Sequence, residues 1–300
     1  MTGRAGLIGC GRMGVPIAHR LIETGHELLV CQRGRSAEIV AAGGRIAGDG
    51  SAQAVASEAE IVLTCLPSAG ALHEVGEGVA GIAHVARPGL VVLELSTLAV
   101  RDKEREREAL AGKGAVMLDC PISGTPAMVP RGRTSIYASG EHAMVEQVRT
   151  VLEAFGGRVD YVGPFGAGSR VKFLANMLVA VHTCAAAETI ALARRAGLDA
   201  SMVVEALTGS PAASSGMLAA RGAMMASERF PEPALGTVEM LRKDLSQASA
   251  MVSEVSSAAP LLEVASEALD VAASEGAGEA DIACLVNFVT RSKPGRGGTG

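Results

Sequence analysis

Three hundred residues are enough for two domains with sizeable cores. The composition, 48% hydrophobic and 20% charged, is that of a folded globular chain, and a net charge of −5 with no basic tract leaves no electrostatic footprint for nucleic acid. The six cysteines (Cys10, Cys31, Cys65, Cys120, Cys184 and Cys284) are scattered with no C-x-x-C pair, which suggests neither a zinc site nor a disulfide framework and fits a reducing cytoplasm.

Residues 4–8 (RAGLI) predict a short apolar strand running into GCGRMG, where Gly9, Gly11 and Gly14 form G-x-G-x-x-G. This apolar start is too short and too glycine-broken for a signal peptide. The helical run VPIAHRLIETG follows, with Pro16 in its first turn, and then a second strand, HELLVCQR. In this strand–turn–helix–strand setting the first glycine permits the tight turn and the second lets backbone approach a pyrophosphate. The third allows helix and strand to pack closely. The helix amino terminus, with Arg12 and Met13 in the turn, offers N–H groups and a positive dipole end to the phosphates. An NAD site usually places Asp or Glu after the second strand to hold the ribose 2′-hydroxyl. Here the positions read Cys31, Gln32, Arg33, Gly34 and Arg35, so Arg33, with Arg35, is expected to pair with a 2′-phosphate. NADP(H) is therefore the expected cofactor, with NAD(H) possible.

AEIVLTCLP and GLVVLELST predict buried strands ending at Pro67 and at Ser96–Thr97. Ligands of open α/β sheets gather at the carboxyl ends of strands, which makes Leu66, Pro67, Ser96 and Thr97 candidate cofactor contacts. The charge run in RDKEREREALAGKG reads as a solvated helix face. AVMLDCPISGTPAM predicts a strand and then a Ser-Gly-Thr turn, and TSIYASG and RVDYVG predict two more strands before this half ends near Gly163.

Gly166 to Ala196 reads as one long helix, about 40 Å at ~1.5 Å per residue. Asn176, His182 and Glu188 interrupt its apolar character, so a buried helix is expected rather than a bilayer span. Lys172 and Asn176, spaced i,i+4, project from one face. Only five of the 27 basic residues are lysines, and a lysine's pKa, unlike an arginine's, can be moved by burial. Lys103, Lys113 and Lys293 lie in polar surroundings and read as exposed, whereas the apolar neighbours of Lys172, and Lys243 in LRKDL, call for a chemical explanation. From Leu198 onward, helical segments with apolar residues at three- and four-residue spacing are separated by Gly, Ser and Pro; DIACLVNFVTR closes the series, with Asp281 as a helix start. No histidine pair has metal spacing, and no metal is expected. Over SKPGRGGTG the tail is Gly-rich and polar and reads as disordered.

With GCGRMG, DCPISGT, GAGSRVKFLAN and LRKDL in this order, the chain resembles the β-hydroxyacid dehydrogenase family, which includes 3-hydroxyisobutyrate dehydrogenase, tartronate semialdehyde reductase and, more distantly, 6-phosphogluconate dehydrogenase. The resemblance covers roughly residues 4 to 290. It implies an α/β fold class: a Rossmann-like NADP-binding domain over 1–163, an all-helical substrate and dimerisation domain over 164–291 joined to it by the long helix, and a tail over 292–300. It further implies a homo-oligomer, a dimer or tetramer, acting on a small carboxylate-bearing substrate; together with the cysteine usage, a cytoplasmic protein is expected. The family's Asp-x-Pro-x-Ser-Gly-Gly segment falls on Asp119, Pro121, Ser123, Gly124 and Thr125 and would hold the substrate carboxylate with the Ser hydroxyl and backbone N–H groups. Its catalytic lysine falls on Lys172, its substrate-positioning asparagine on Asn176, and its later Lys-Asp pair on Lys243 and Asp244, with Lys243 reaching towards cofactor or substrate. Thr125 in place of the second glycine, and Met177 in place of a second Asn, depart from the pattern and leave the substrate open. The His and Glu of 6-phosphogluconate dehydrogenase are replaced by Ala175 and Val179, which argues against oxidative decarboxylation.

The expected reaction is hydride transfer between nicotinamide and the carbonyl carbon of a small semialdehyde or keto acid, with Lys172 stabilising the oxygen and moving its proton. For the oxidation Lys172 must start neutral, so its pKa is expected to be lowered by Val171, Phe173 and Leu174. Two alternatives stay open: an imine reductase of the same architecture, and a non-catalytic NADPH-binding module.

Overall fold

The computed structural model describes residues 4–289; the expected tail over 292–300, and Lys293 with it, lie outside the described residues. The chain divides into two compact units between Lys172 and Phe173.

In the first unit, β1 (Ala5–Ile8), β2 (Leu28–Val30), β3 (Arg45–Ile46), β4 (Ile61–Thr64), β5 (Val91–Glu94) and β6 (Val116–Asp119) form a parallel sheet in the order β3-β2-β1-β4-β5-β6. The central strands AGLI, IVLT and VVLE are almost entirely buried, as a parallel sheet covered on both faces requires. Between them run α1 (Gly14–Glu23), α2 (Ser36–Ala41), α3 (Ala52–Glu58), α4 (Ala69–Glu77) and α5 (Val100–Ala111). Ile17, Ala18 and Leu21 of α1 join one apolar layer with Ile39 of α2; Val55 of α3, Leu72 and Val75 of α4 and Leu110 of α5 join the other. A second, three-stranded sheet has β8 (Ser135–Ala138) between β7 (Ile122–Ser123), antiparallel to it, and β9 (Arg158–Tyr161), parallel to it. The crossover helix α6 (His142–Phe155) packs Val145, Val148 and Leu152 into the α1 layer.

The long helix is α7 (Ala167–Arg195), which starts in the first unit and continues through the second. α8 (Ala200–Thr208), α9 (Gly216–Ser227), α10 (Val238–Glu254) and α11 (Pro260–Ala272) follow, and Ile282–Asn287 form a 3-10 segment. Leu241, Leu245 and Ala248 of α10 and Leu262, Ala265 and Leu269 of α11 are buried at three- and four-residue spacing. Buried Asp281 starts the 3-10 segment as expected, accepting from the Ala283 N–H, and also pairs with Arg221 at 2.9 Å and receives the Leu235 N–H. The expectation that α7 is a buried helix holds only for one stripe. Leu174, Leu178 and Leu192 are half exposed, at 50%, 52% and 52%. With an 18-residue window of mean hydropathy 1.4 the helix is long and apolar enough to cross a membrane by length and composition, but its buried positions include Ser169, Lys172, Asn176 and Thr183.

Candidate active site

The strand order reverses between β1 and β4, and in such sheets this switch point opens a crevice at the strands' carboxyl ends. The glycines of GCGRMG divide their work there. Gly9 has φ +113°, and a Cβ on it would lie 2.1 Å from the Cys65 carbonyl oxygen at the end of β4. A Cβ on Gly14 would lie 1.9 Å from the Gly9 carbonyl oxygen. Both glycines are therefore demanded by the chain's own packing. Gly11 is exposed and a Cβ there would meet nothing within 4 Å, so open space lies beside it. Like α2, α5, α6 and α11, helix α1 has no side-chain cap, and it begins at this open turn, behind Arg12 and Met13. An uncapped helix start facing space fits a phosphate-bearing dinucleotide.

Beyond β2, Gln32, Arg33 and Arg35 are all exposed. Arg33 has only a long contact, 3.5 Å, to Glu74, both side chains being largely in solvent. Arg35 is instead held by both oxygens of Glu38, at 2.5 and 2.6 Å, which draws its guanidinium onto α2. Of the two arginines, Arg33 is the one whose guanidinium is not drawn onto its own helix.

At the ends of β4 and β5 the Ser96 hydroxyl accepts the Leu66 N–H at 2.8 Å, so the two loops carrying Leu66, Pro67 and Thr97 are tied together. Beneath them lies a feature absent from the sequence reading. Lys103, expected to be exposed on a solvated helix face, has 0% exposure. Its ammonium group donates to the Ser96 carbonyl at 2.6 Å and to Asp119 Oδ1 at 2.8 Å, and stands 3.8 Å from Glu94. Lys103, Glu106 and Leu110 form the inward stripe of α5, and only the other faces of that helix are solvated. Burial alone would push the Lys103 pKa down, but Asp119 and then Glu94 outweigh it and hold it above the ordinary lysine value. Asp119, for which the resemblance implied no separate task, accepts from Ser139 Oγ, from the Ser169 N–H at 2.8 Å and from Ser169 Oγ at 2.8 Å. Glu94, with the same 0% exposure, accepts from the Thr64 hydroxyl and from the Ser96 N–H. A carboxylate inside each of the otherwise apolar strands VVLE and VMLD, and a lysine seven residues before Leu110, were the available signals.

Of the expected substrate residues in the first unit, Ser123 ends β7 and Gly124 follows with φ +146°, where a Cβ would collide with Thr134. Thr125 precedes a 3-10 turn over Pro126–Met128. Lys172 stands near the start of α7, one turn beyond Ser169, with 7% exposure. In the second unit, Asn176 is one turn further along the same helix, 4% exposed, and its amide nitrogen donates to Asp244 at 2.8 Å. Asp244 thereby fixes the rotation of the Asn176 amide, a task the sequence left unassigned. The neighbouring Lys243 is exposed on α10. All six cysteines are free thiols, and burial raises Cys10 to about 11 and Cys31 to about 12, so neither offers a thiolate beside the glycine turn at neutral pH.

Comparison with known proteins agrees with this geometry. The sequence model of the NAD binding domain of 6-phosphogluconate dehydrogenase matches residues 4–163, and that of the NAD-binding region of NADP-dependent 3-hydroxyisobutyrate dehydrogenase matches residues 166–289. The chain is 35% identical to an NAD-dependent L-serine dehydrogenase of Pseudomonas aeruginosa over 66% of each chain. It is 30% identical to an L-threonate dehydrogenase of Cupriavidus necator over 99% of each. The solved structure of a 3-hydroxyisobutyrate dehydrogenase from Salmonella typhimurium superposes with a TM-score of 0.83 at 26% identity, covering 95% of this chain and 99% of that one. A dinucleotide turn at the switch point of a 3-2-1-4-5-6 sheet, followed by a helical unit entered along one long helix, thus places this chain in the β-hydroxyacid dehydrogenase family, NAD(P)-dependent oxidoreductases that act on CH–OH groups.

Proposed function

We propose that this protein is an NADP-preferring dehydrogenase of a small β-hydroxyacid, interconverting it with its semialdehyde, and that Lys172 is the general acid/base. The observation that carries this reading is a lysine of 7% exposure at the start of α7, in a chain that uses arginine for nearly every other cation. The turn of Gly9, Gly11 and Gly14 would hold a nicotinamide dinucleotide, which would supply or accept the hydride. Lys172 donates a proton to the carbonyl oxygen as charge builds on it during reduction, and takes the proton back in oxidation. Asn176, its amide held by Asp244, orients that oxygen. The Ser123 hydroxyl and the backbone of Gly124 and Thr125 anchor the carboxylate and fix which carbon is presented. Lys243 adds a positive charge at the cofactor or substrate. Arg33 pairs with the 2′-phosphate, which supports NADP(H) over NAD(H). The exposed apolar residues of α7 and α11, Leu174, Leu178, Leu261 and Val264, support a homodimer.

The test is NADPH oxidation against succinic, methylmalonic and tartronic semialdehydes and glyoxylate, with cyclic imines and an NADH arm as contrasts. The same panel run backwards holds L-serine, L-threonate and 3-hydroxyisobutyrate. Turnover of a semialdehyde, lost by a factor on the order of 10² to 10⁴ in Lys172→Ala with NADPH binding intact, is the expected result. Turnover of imines alone, or a Lys172→Ala variant of near-normal rate, would overturn it.

A further inference from the structure

The charged cluster beneath the switch point touches both halves of the expected chemistry without touching substrate. On one side, Lys103 holds the Ser96 carbonyl, Glu94 holds the Ser96 N–H, and the Ser96 hydroxyl holds the Leu66 N–H at the strand ends where the cofactor binds. On the other side, Lys103 holds Asp119, and Asp119 takes both the N–H and the hydroxyl of Ser169 in the first turn of α7. Ser139, which donates to Asp119, also accepts the Gly168 N–H at 2.9 Å. Three successive features of that helix start, Gly168 N–H, Ser169 N–H and Ser169 Oγ, are thus tied to one buried carboxylate and its neighbour. Lys172 lies three residues on, on the same side of the helix as Ser169. Every member from Thr64 to Lys172 belongs to the first unit.

A purely structural ion pair needs no such reach. Two carboxylates at 0% exposure share one ammonium, and each remaining oxygen is aimed at a main-chain N–H or hydroxyl of a different element. We propose that Lys103 is a positioning residue: through Asp119 and Ser169 it sets where the Lys172 amine stands, and through Ser96 it sets the cofactor-facing strand ends, so that both are held in one register. The effect on turnover rests on the function proposed above; the effect on Lys172 does not.

The chain's five lysines make this directly readable, because lysine labelled with ¹³C at Cε gives five signals whose pH titrations can be followed singly and assigned by Lys→Arg variants. Ser169→Ala, which removes one hydroxyl from the cluster, is the first variant, and Lys103→Met the second. In a folded Ser169→Ala protein the titration midpoint of Lys172 is expected to move by about half a pH unit or more. NADPH affinity, read by fluorescence, should stay within roughly twofold, and kcat should fall on the order of 10- to 100-fold with little change in KM. Lys103→Met, where it folds, is expected to move the Lys172 midpoint and NADPH affinity together, and adding Ser169→Ala to it should shift Lys172 little further. An unmoved Lys172 signal and unchanged kcat in Ser169→Ala would overturn the proposal and leave the cluster as scaffold. Should wild-type protein turn over nothing on the panel, the proposed function fails, and the Lys172 titration still decides this one: a shift in both variants upholds the positioning, no shift refutes it.

Discussion

An ammonium group without exposed surface stays charged only where carboxylates face it, and at Lys103 two do. Removing it strands both, so Lys103→Met is expected to lose about 3–5 kcal/mol at neutral pH. Its raised pKa also fixes the sign of a pH effect. The folded state holds this proton more tightly than the unfolded chain, so the contribution is fully present below the ordinary value of 10.5 and is lost as pH rises above it. Urea unfolding measured from pH 7 to 11 should therefore show wild type and Lys103→Met converging above pH 10.5, and parallel curves would contradict the assignment. Arg33 carries a prediction of a different kind. It is solvated and only loosely met by Glu74, so Arg33→Ala should leave the unfolding midpoint unchanged while raising KM for NADPH roughly tenfold and that for NADH hardly at all. Equal loss for both cofactors would remove Arg33 as the source of preference.

At the scale of elements, the glycine turn separates folding from binding. Gly14→Ala would put a methyl 1.9 Å from the Gly9 carbonyl, so the turn or α1 must shift, and a loss of stability on the order of 2 kcal/mol or more is expected in thermal unfolding. Gly11→Ala meets nothing in the protein, so its unfolding should match wild type while dinucleotide affinity falls at least tenfold, since the methyl occupies space the pyrophosphate needs. A Gly11→Ala protein with unaltered affinity would mean that the ligand does not approach this turn. The sequence was legible here because the glycine spacing, the switch in apolar periodicity from strand to helix and the uninterrupted run of α7 are all local. The charged face of α5 was misread for a matching reason. Seven of the residues in VRDKEREREALA beside Lys103 are charged, and local composition cannot tell which of them turns inward until β5 and β6 supply Glu94 and Asp119.

At the scale of the whole molecule, the second unit leaves apolar side chains uncovered on more than one helix: Leu178 and Leu192 of α7, Leu261, Val264 and Val271 of α11. A chain of 30.4 kDa with these faces is expected to run as a dimer, and light scattering should give twice that mass, with a charged substitution such as Leu178→Glu returning it towards one. A monomer at micromolar concentration would contradict this. By itself the sequence determined what depends on spacing along the chain: the alternating strands and helices, the phosphate turn, the long helix, the shared face of Lys172 and Asn176 and the Arg33 position after β2. Only the tertiary structure decided what depends on partners remote in sequence. It joined Asp119 to Ser169 fifty residues later, set Asp244 on Asn176 sixty-eight residues earlier, and buried Lys103 between two strand ends. A charge in a sequence carries no record of its burial, because that cost is met by groups the fold brings from elsewhere.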